Sequence, residues 1–303
     1  MVNQITLANS IATSGIGLHT GVEVNLRLRP APENTGYVFV RTDLDNFEIP
    51  ASVEFISHCS YATTLMRRGV VLSTCEHLLS ALRGSWIDNC FIELDNIEVP
   101  ILDGSSENFI DLIEKAGTVE QDSPRRTLVV KESVTVDQNG RKMSIEPADN
   151  FEIDCVIDFP HPFIKRQTYR FVMKNGSFGR EIASARTFGF AEEIDMLRKA
   201  NLALGGSLDN AIVLGESGVL NTLRFDDEFV RHKMLDCVGD LALVGHPIIG
   251  HVVVERGGHA LHTALAAAIV SQPEAWDLVE VPSEKAHGAA VVAASVGSAA
   301  VVR

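Results

Sequence analysis

Residues 70–94, VVLSTCEHLLSALRGSWIDNCFIEL, decide the fold because they run from an apolar strand through a helix to a second strand. Leu78, Leu79 and Leu82 recur at helical spacing in EHLLSALRG, which predicts a helix with one apolar face. The segment NCFIEL (residues 89–94) has the composition of a strand. The stretch therefore predicts part of an α+β unit.

Further strands and a helix surround this unit. Residues 22–28 and 37–43 alternate with period two on either side of a turn, which predicts half-buried antiparallel strands. Residues 106–116 carry one apolar stripe at helical spacing and stop at Gly117, a residue typical of the position after a helix. The first part of the chain is therefore predicted to contain strands and two helices.

The polar stretch TVEQDSPRR (residues 118–126) has the composition of a linker, so we place a domain boundary there. The strand pattern restarts beyond it and leads to helices predicted near residues 180–186, at 191–201 and at 227–244. Each half then has strands followed by a helix with a histidine-bearing segment, which predicts a duplicated unit. We expect a first domain at 1–120, a second at 127–280 and a mobile tail at 281–303.

The composition is that of a globular protein. Hydrophobic residues make up 46% and charged residues 22% of the 303 residues, which excludes wholesale disorder. The net charge of -14 disfavours a nucleic-acid binder. Five cysteines without a CxxC pair predict buried thiols, not disulfides or a thiolate zinc site. We see no secretory signal and no membrane-spanning tract, so we expect a cytoplasmic protein, which we also take to be a monomer.

The segment RHKMLDCVGD (residues 231–240) carries the strongest chemical pattern. His232, Asp236 and Asp240 are spaced four apart and lie on one helical face. An imidazole and a carboxylate one turn apart can bind one ion, although such a pair also arises by chance. A hydrolytic zinc site needs a third protein ligand. His77 is the best candidate, because Glu76 beside it can accept a proton from a water at the ion.

Three sequence features allow two interpretations each. Residues 73–76 match a capping box, in which Glu76 would bond back to the N-cap backbone instead of acting as a base. His259 follows two glycines in RGGHALH and is either a general acid or charge-stabilising imidazolium, or a surface residue. The apolar residues within 191–213 indicate either core packing or a passage for a lipid chain. GIGLHTG has the wrong spacing for a dinucleotide fingerprint and predicts a tight turn that presents His19.

Eight segments occur in the order, and at nearly the spacing, of one known family. They are GIGLHTG (15–21), STCEHLLSAL (73–82), IDN (87–89), VPILDGS (99–105), SARTFGF (184–190), LALGGSLDNAIV (202–213), RFDDEFVRHKMLDCVGD (224–240) and GGHAL (257–261). In these motifs the chain resembles the UDP-3-O-acyl-N-acetylglucosamine deacetylases, the zinc-dependent deacetylases of bacterial lipid A biosynthesis. The resemblance covers about residues 1–280.

The resemblance implies a fold and a metal centre. The fold would be two similar layered α+β domains that form a β-α-α-β sandwich with the active site between them. Residues 43–65 and 191–213 would be insertions that wall the site. One Zn²⁺ per chain would be held by His77, His232 and Asp236. The substrate would be a UDP-sugar that carries an acyl chain.

The resemblance also implies roles for single residues. Glu76 would be the general base, and His259, paired with Asp240, would protonate the departing amine. Thr187 would hydrogen-bond the tetrahedral intermediate, and Lys233 would lie near the sugar diphosphate. The other expected substrate contacts are His19, Lys142, Arg256, the uridine-contacting Asp158 and Phe159, and the acyl-tunnel positions Phe188, Ile194, Leu197, Ala203, Ala211 and Val213.

Two other functions stay open at this point. A noncatalytic nucleotide-sugar sensor would keep the pocket but is expected to lack one or more of the metal-binding residues. A metal-free His/Glu acyl dehydratase, suggested by the apolar tunnel, predicts a protein without bound zinc. The metal set is intact in the sequence, which favours the deacetylase.

Overall fold

Strands outnumber helices in the first half of the chain. A computed structural model gives the structure of residues 2–280, so the tail predicted at 281–303 lies outside the described residues. The elements of the first half are β1 (Asn3–Leu7), β2 (Ile11–Ile16), β3 (Glu23–Pro30), β4 (Tyr37–Arg41), β5 (Phe47–Pro50), β6 (Ile56–His58), β7 (Thr64–Arg67), β8 (Val70–Ser73), α1 (Glu76–Gly84), β9 (Cys90–Leu94), α2 (Glu107–Ala116) and β10 (Thr118–Pro124).

The second half contains the two longest helices. Its elements are β11 (Arg126–Val130), β12 (Val134–Gln138), β13 (Arg141–Glu146), β14 (Phe151–Asp158), β15 (Arg166–Val172), α3 (Ser177–Glu181), β16 (Phe188–Phe190), α4 (Ala191–Lys199), β17 (Ile212–Gly215), β18 (Gly218–Val219), α5 (Glu228–Leu241), β19 (Ile248–Glu255), α6 (His259–Ser271) and β20 (Trp276–Glu280). Short 3-10 turns lie at Thr42–Leu44, Val53–Phe55, Ala242–Val244 and Pro273–Ala275.

Each half builds a mixed sheet that contains a parallel pair of strands connected through a helix. In the sheet β2-β3-β9-β4-β5, β4 and β9 run parallel, and α1 lies in the connection between them. In the second sheet, β14 and β19 run parallel, and α5 lies in their connection. A further helix follows each unit, α2 after β9 and α6 after β19. The predicted α+β fold with two similar layered halves is therefore confirmed.

The helices of the two halves meet at a glycine. α1 packs on α5, and Gly239 of α5 lies against the backbone of Glu76. A Cβ atom at Gly239 would come within 2.0 Å of the Glu76 carbonyl oxygen, so a larger residue forces the two helices apart.

Buried apolar side chains form two clusters. One lies within residues 7–116 and also includes Ala242 and Leu243, and the other lies within residues 128–275. We propose that they are the cores of the two domains expected from the sequence.

Two local predictions are wrong. Residues 118–126 are not an irregular linker, because β10 pairs antiparallel with β1 and β11 begins at Arg126. β10 belongs to a two-stranded sheet and is largely exposed, so its composition is that of a polar connection. The helix expected near 180–186 lies earlier, at Ser177–Glu181, and the buried Ile182 and Ala185 follow it outside the helix. The other predicted helices and strands are present, with ends shifted by up to three residues.

The cysteines are as the sequence predicts. All five cysteines are free thiols, and four of them are buried, with Cys59 partly exposed. Within residues 2–280, no helix is both long enough and apolar enough to cross a membrane.

The contact at Gly239 predicts a sensitive position. Gly239→Ala should lower the free energy of unfolding by about 1–3 kcal/mol, because the added methyl group overpacks the contact between α1 and α5. Urea unfolding measures this loss. Gly179→Ala in α3 is the matched control, because a Cβ atom there meets nothing within 4 Å. Equal stability of the two variants would contradict the proposed contact.

Candidate active site

Three side chains from α1 and α5 face one another in a buried position. His77 is the second residue of α1, and His232 and Asp236 lie one turn apart on α5. The Nε2 atoms of His77 and His232 are 3.5 and 3.3 Å from Oδ1 of Asp236. The candidate ligand atoms of all three residues lie within 4.8 Å of one another. The packing of the two helices thus brings together the three ligands predicted from the sequence.

The three groups suit a divalent cation. Asp236 Oδ1 is buried and has no hydrogen-bond partner in the described part of the chain, which is costly for a carboxylate oxygen. His232 Nδ1 lies 3.0 Å from the carbonyl oxygen of Ala185, which can only accept, so Nδ1 carries the proton and Nε2 is free to ligate. Burial lowers the pKa of His232 to about 3, so its imidazole is neutral. Two imidazole nitrogens and a carboxylate oxygen match the ligands of zinc.

Lys233 holds the second oxygen of Asp236. Its Nζ atom donates to Oδ2 at 3.0 Å, which leaves Oδ1 facing the two histidines. Burial lowers the pKa of Lys233, but the carboxylate of Asp236 outweighs this effect and keeps the pKa above its ordinary value. The ammonium group also lies 5.4 Å from the centre of the Phe188 ring. Lys233 is therefore a charged residue that orients the aspartate.

Glu76 is buried at the start of α1 with its carboxylate beside the three ligands. Its Oε2 accepts a hydrogen bond from the backbone N–H of Thr63 at 3.2 Å, and its Oε1 lies 3.7 Å from Nε2 of His259. Burial raises the pKa of Glu76 against the lowering effect of His259, so the carboxylate has the raised proton affinity that suits a base. The capping-box interpretation is wrong, because α1 begins at Glu76 and no side chain caps it.

His259 is the first residue of α6 and lies between carboxylates. Its Nδ1 is 2.9 Å from Oδ2 of Asp240, and its Nε2 faces Glu76 and, at 4.0 Å, Asp236. Burial lowers the pKa of His259, but Asp240, Glu76 and Asp236 together raise it to about 9. The imidazole is therefore protonated at neutral pH and able to donate a proton from Nε2.

Asp240 has two further partners, His262 and Thr63, that the sequence patterns did not indicate. Nδ1 of His262 is 2.9 Å from the same Oδ2 atom that His259 contacts, and Oγ1 of Thr63 donates to Oδ1 at 2.5 Å. The spacing of His259 and His262, three apart on one helix, was an available signal. Thr63 offered none, because it lies 177 residues from Asp240. Asp240, His259 and His262 are also close enough for a metal, but both Nδ1 atoms already contact the carboxylate.

His19 lies in the turn that GIGLHTG predicts. The carboxylate of Glu98, which is buried and was not singled out from the sequence, accepts hydrogen bonds from the backbone N–H groups of His19 and Thr20 at 2.8 Å each. Nε2 of His19 is buried without a partner among residues 2–280, and Nδ1 accepts from the N–H of Ala203 at 3.4 Å. The turn is thus hydrogen-bonded to the segment at 191–213.

Arg256 and His259 line one cavity of about 510 Å³. Arg141 lines it as well, whereas the family resemblance implies a substrate contact at its neighbour Lys142. The side chain of Lys142 is 73% exposed and lies 3.8 Å from Asp137. The structure therefore places Arg141, and not Lys142, at this cavity.

Aromatic residues lie beside the three ligands. The rings of Phe159 and Phe188 meet edge to face with their centres 5.7 Å apart, and the Phe188 ring is 6.3 Å from that of His232. Asp158, before Phe159, is exposed at the end of β14.

Thr187 directly precedes Phe188 and is fixed through its backbone. Its N–H donates to the carbonyl oxygen of Gly104 at 2.8 Å, and its own carbonyl oxygen accepts from the N–H of Ile212 at 2.8 Å. These bonds hold Thr187 between the first half of the chain and β17.

The five other residues predicted to line an acyl passage share one property, which is that all are partly exposed and none belongs to a buried core cluster. In and beside β17, Ile212 and Leu214 are buried in the core while Ala211 and Val213 are not. Core packing is therefore wrong for these positions, and the lipid passage stays a prediction. The positions are Ile194, Leu197, Ala203, Ala211 and Val213.

The chain is similar in sequence to proteins of known activity. A family model described as UDP-3-O-acyl N-acetylglycosamine deacetylase (LpxC) matches residues 4–271. The UDP-3-O-acyl-N-acetylglucosamine deacetylase of Hahella chejuensis is 47% identical over 284 residues, which are 92% of this chain and 94% of the relative. The proteins of the same name from Myxococcus xanthus (46% over 289 residues, 94% and 92%) and Idiomarina loihiensis (47% over 292 residues, 94% and 95%) are equally similar.

The geometry predicts one zinc ion per chain. His232→Ala should weaken zinc binding by more than about 100-fold, since loss of a ligand costs more than the 10–100-fold typical of an outer partner. Metal analysis after dialysis against a competing chelator measures this. His251→Ala is the control, because His251 also contacts an aspartate, Asp154 at 2.9 Å, but away from the three ligands. Full zinc content in His232→Ala would refute the ligand assignment.

Proposed function

The chain belongs to the UDP-3-O-acyl-N-acetylglucosamine deacetylase family, and from this premise we propose how its own residues carry out the reaction. The protein is an enzyme of lipid A biosynthesis that hydrolyses the acetamide of UDP-3-O-(3-hydroxyacyl)-N-acetylglucosamine and releases acetate, the committed step of the pathway. Its partner is thus a UDP-sugar with an acyl chain. We further propose that it acts as a cytoplasmic monomer without a nucleic-acid partner, in keeping with its net charge of -14.

A zinc ion would be held by Nε2 of His77, Nε2 of His232 and Oδ1 of Asp236. The observation that carries this assignment is the buried, unpartnered Oδ1 atom of Asp236 between two imidazole nitrogens. When bound, zinc supplies Lewis acidity, which lowers the pKa of a water molecule to about 7 and polarises a carbonyl group. Lys233 keeps the aspartate in the orientation that this requires.

Glu76 acts as the general base. Water attacks the carbonyl carbon of the acetamide while the Glu76 carboxylate accepts its proton. The carboxylate is buried beside the proposed ligands, and burial raises its pKa, so proton transfer to it is favourable. Its Oε1 lies 3.7 Å from Nε2 of His259, so the proposed base and acid are direct neighbours.

His259 acts as the general acid. When the C–N bond breaks, the nitrogen keeps the bonding electron pair and takes a proton from Nε2 of His259, so the products are acetate and the free amine. Asp240 holds the opposite ring nitrogen and stabilises the imidazolium before this transfer. Thr187, fixed between Gly104 and Ile212, would donate a hydrogen bond to the developing oxyanion.

The remaining residues would bind the two ends of the substrate. Arg256, which lines the cavity next to His259, offers a charged contact for the diphosphate. Phe159 and Phe188 would pack on the substrate beside the metal, and the partly exposed apolar positions near β17 would receive the acyl chain.

The base assignment predicts a variant that binds metal and does not turn over. Glu76→Gln should keep its zinc and lose about 10²–10⁴-fold in kcat, because an amide cannot accept the proton. The assay measures acetate released from UDP-3-O-acyl-N-acetylglucosamine, with zinc content determined on the same sample. Glu120→Gln, on the exposed β10, is the control. Normal turnover of the Glu76→Gln variant would show that Glu76 is not the base. A wild-type protein that binds no zinc and releases no acetate would instead favour the dehydratase.

A further inference from the structure

Thr63 lies between two carboxylates, that of the proposed base Glu76 and that of Asp240, which contacts the proposed acid His259. It is fully buried, one residue before β7. Its backbone N–H donates to Oε2 of Glu76 at 3.2 Å, and its hydroxyl group contacts Oδ1 of Asp240 at 2.5 Å. A single residue therefore contacts a carboxylate of α1 through its backbone and one of α5 through its side chain.

The hydroxyl group of Thr63 is the donor in its contact with Asp240. Burial raises the pKa of Asp240, but the contacts with His259 and His262 outweigh burial and keep the carboxyl group ionised. An ionised carboxylate can only accept. Asp240 therefore accepts three hydrogen bonds, from Thr63 on Oδ1 and from the two histidines on Oδ2.

The backbone of Thr63 is anchored on the start of α1. Its carbonyl oxygen accepts from the N–H of Thr74 at 3.1 Å and from the thiol of Cys75 at 3.5 Å, while its N–H contacts Glu76. Thr63 thus moves with the segment that carries Glu76. Its β-branched side chain has few rotamers, so the distance from its N–H to its hydroxyl oxygen is nearly fixed.

We propose that Thr63 is a positioning residue for the deacetylation, which sets the location of His259 relative to Glu76 by holding Asp240 in place. The path runs from Glu76 to the Thr63 backbone, from the Thr63 hydroxyl to Asp240, and from Asp240 to His259. It closes across the 3.7 Å between His259 Nε2 and Glu76 Oε1. This inference rests on the proposed function of Glu76 and His259 as base and acid.

A positioning role differs from a structural one in what it changes. Loss of general stability would reduce folded protein and zinc content together with activity. Loss of positioning leaves the ligands and the substrate contacts in place and slows the chemical step, since a misplacement of about 1 Å at a reacting group can cost about 10²-fold in rate.

Thr63→Val tests this role, because valine keeps the shape and the backbone N–H and removes only the hydroxyl group. We expect kcat to fall about 10–100-fold with KM and zinc content near those of the wild type, and Thr63→Ser to restore most of kcat. Thr64→Val is the matched control, because Thr64 is also buried and its hydroxyl pairs with Ser73 at 3.0 Å, without contact to Asp240. Equal kcat values for Thr63→Val and Thr64→Val would overturn the proposal.

A second measurement does not depend on activity. The ¹⁵N resonances of the imidazole Nδ1 atoms of His259 and His262 report their hydrogen bonds to Asp240. Thr63→Val should shift both resonances, Thr63→Ser should return them towards the wild type, and Thr64→Val should leave them unchanged. Resonances that do not respond to Thr63→Val refute the inference. If the variants shift as expected but the wild type releases no acetate, the proposed function alone is refuted.

Discussion

The close packing of α1 on α5 is the constraint on which the site depends. Gly239 lets the backbone of α1 at Glu76 approach α5 at the level of the turn between Asp236 and Asp240. Because side chains four apart share a helix face, this one contact places Glu76 and His77 against residues of α5 that are remote in sequence. Each half supplies only some of the proposed metal ligands. The site therefore depends on the contact between α1 of one half and α5 of the other.

Burial of several carboxylates at one place is the second constraint. Glu76, Asp236 and Asp240 are all buried, and Lys233 and His259 are the cations in direct contact with them. With these three carboxyl groups ionised and only Lys233 and His259 counted as cations, one negative charge is in excess, and a buried unbalanced charge is costly. On the same count, the proposed divalent cation between His77 and His232 would reverse the balance to one positive charge. Such a site would favour an anionic transition state and a diphosphate-bearing substrate.

The part of the site that was predictable from the sequence is the part set by helical periodicity. His232, Asp236 and Asp240 were found because one helix carries them in a repeat of four, whereas Thr63 and Glu98 act through contacts between segments distant in sequence. The strand β10 was missed for a related reason. Its partner β1 lies more than 100 residues away, and an exposed strand needs no alternating pattern. The capping box failed because α1 begins at Glu76, directly after Cys75, so Glu76 is the first residue of the helix and not the third.

Asp236 and Asp240 show how neighbouring groups give one residue type two roles. The two carboxylates lie one turn apart on the same buried face of α5, so helix position alone does not distinguish them. Asp240 accepts bonds on both oxygens from three donors, and such a carboxylate has little capacity left for a cation. One oxygen of Asp236 accepts a hydrogen bond from Lys233, and the other faces two imidazole rings and has no hydrogen-bond donor among the described residues. The number of donors around each carboxylate therefore supports the proposed metal at Asp236 and the proposed imidazolium at Asp240.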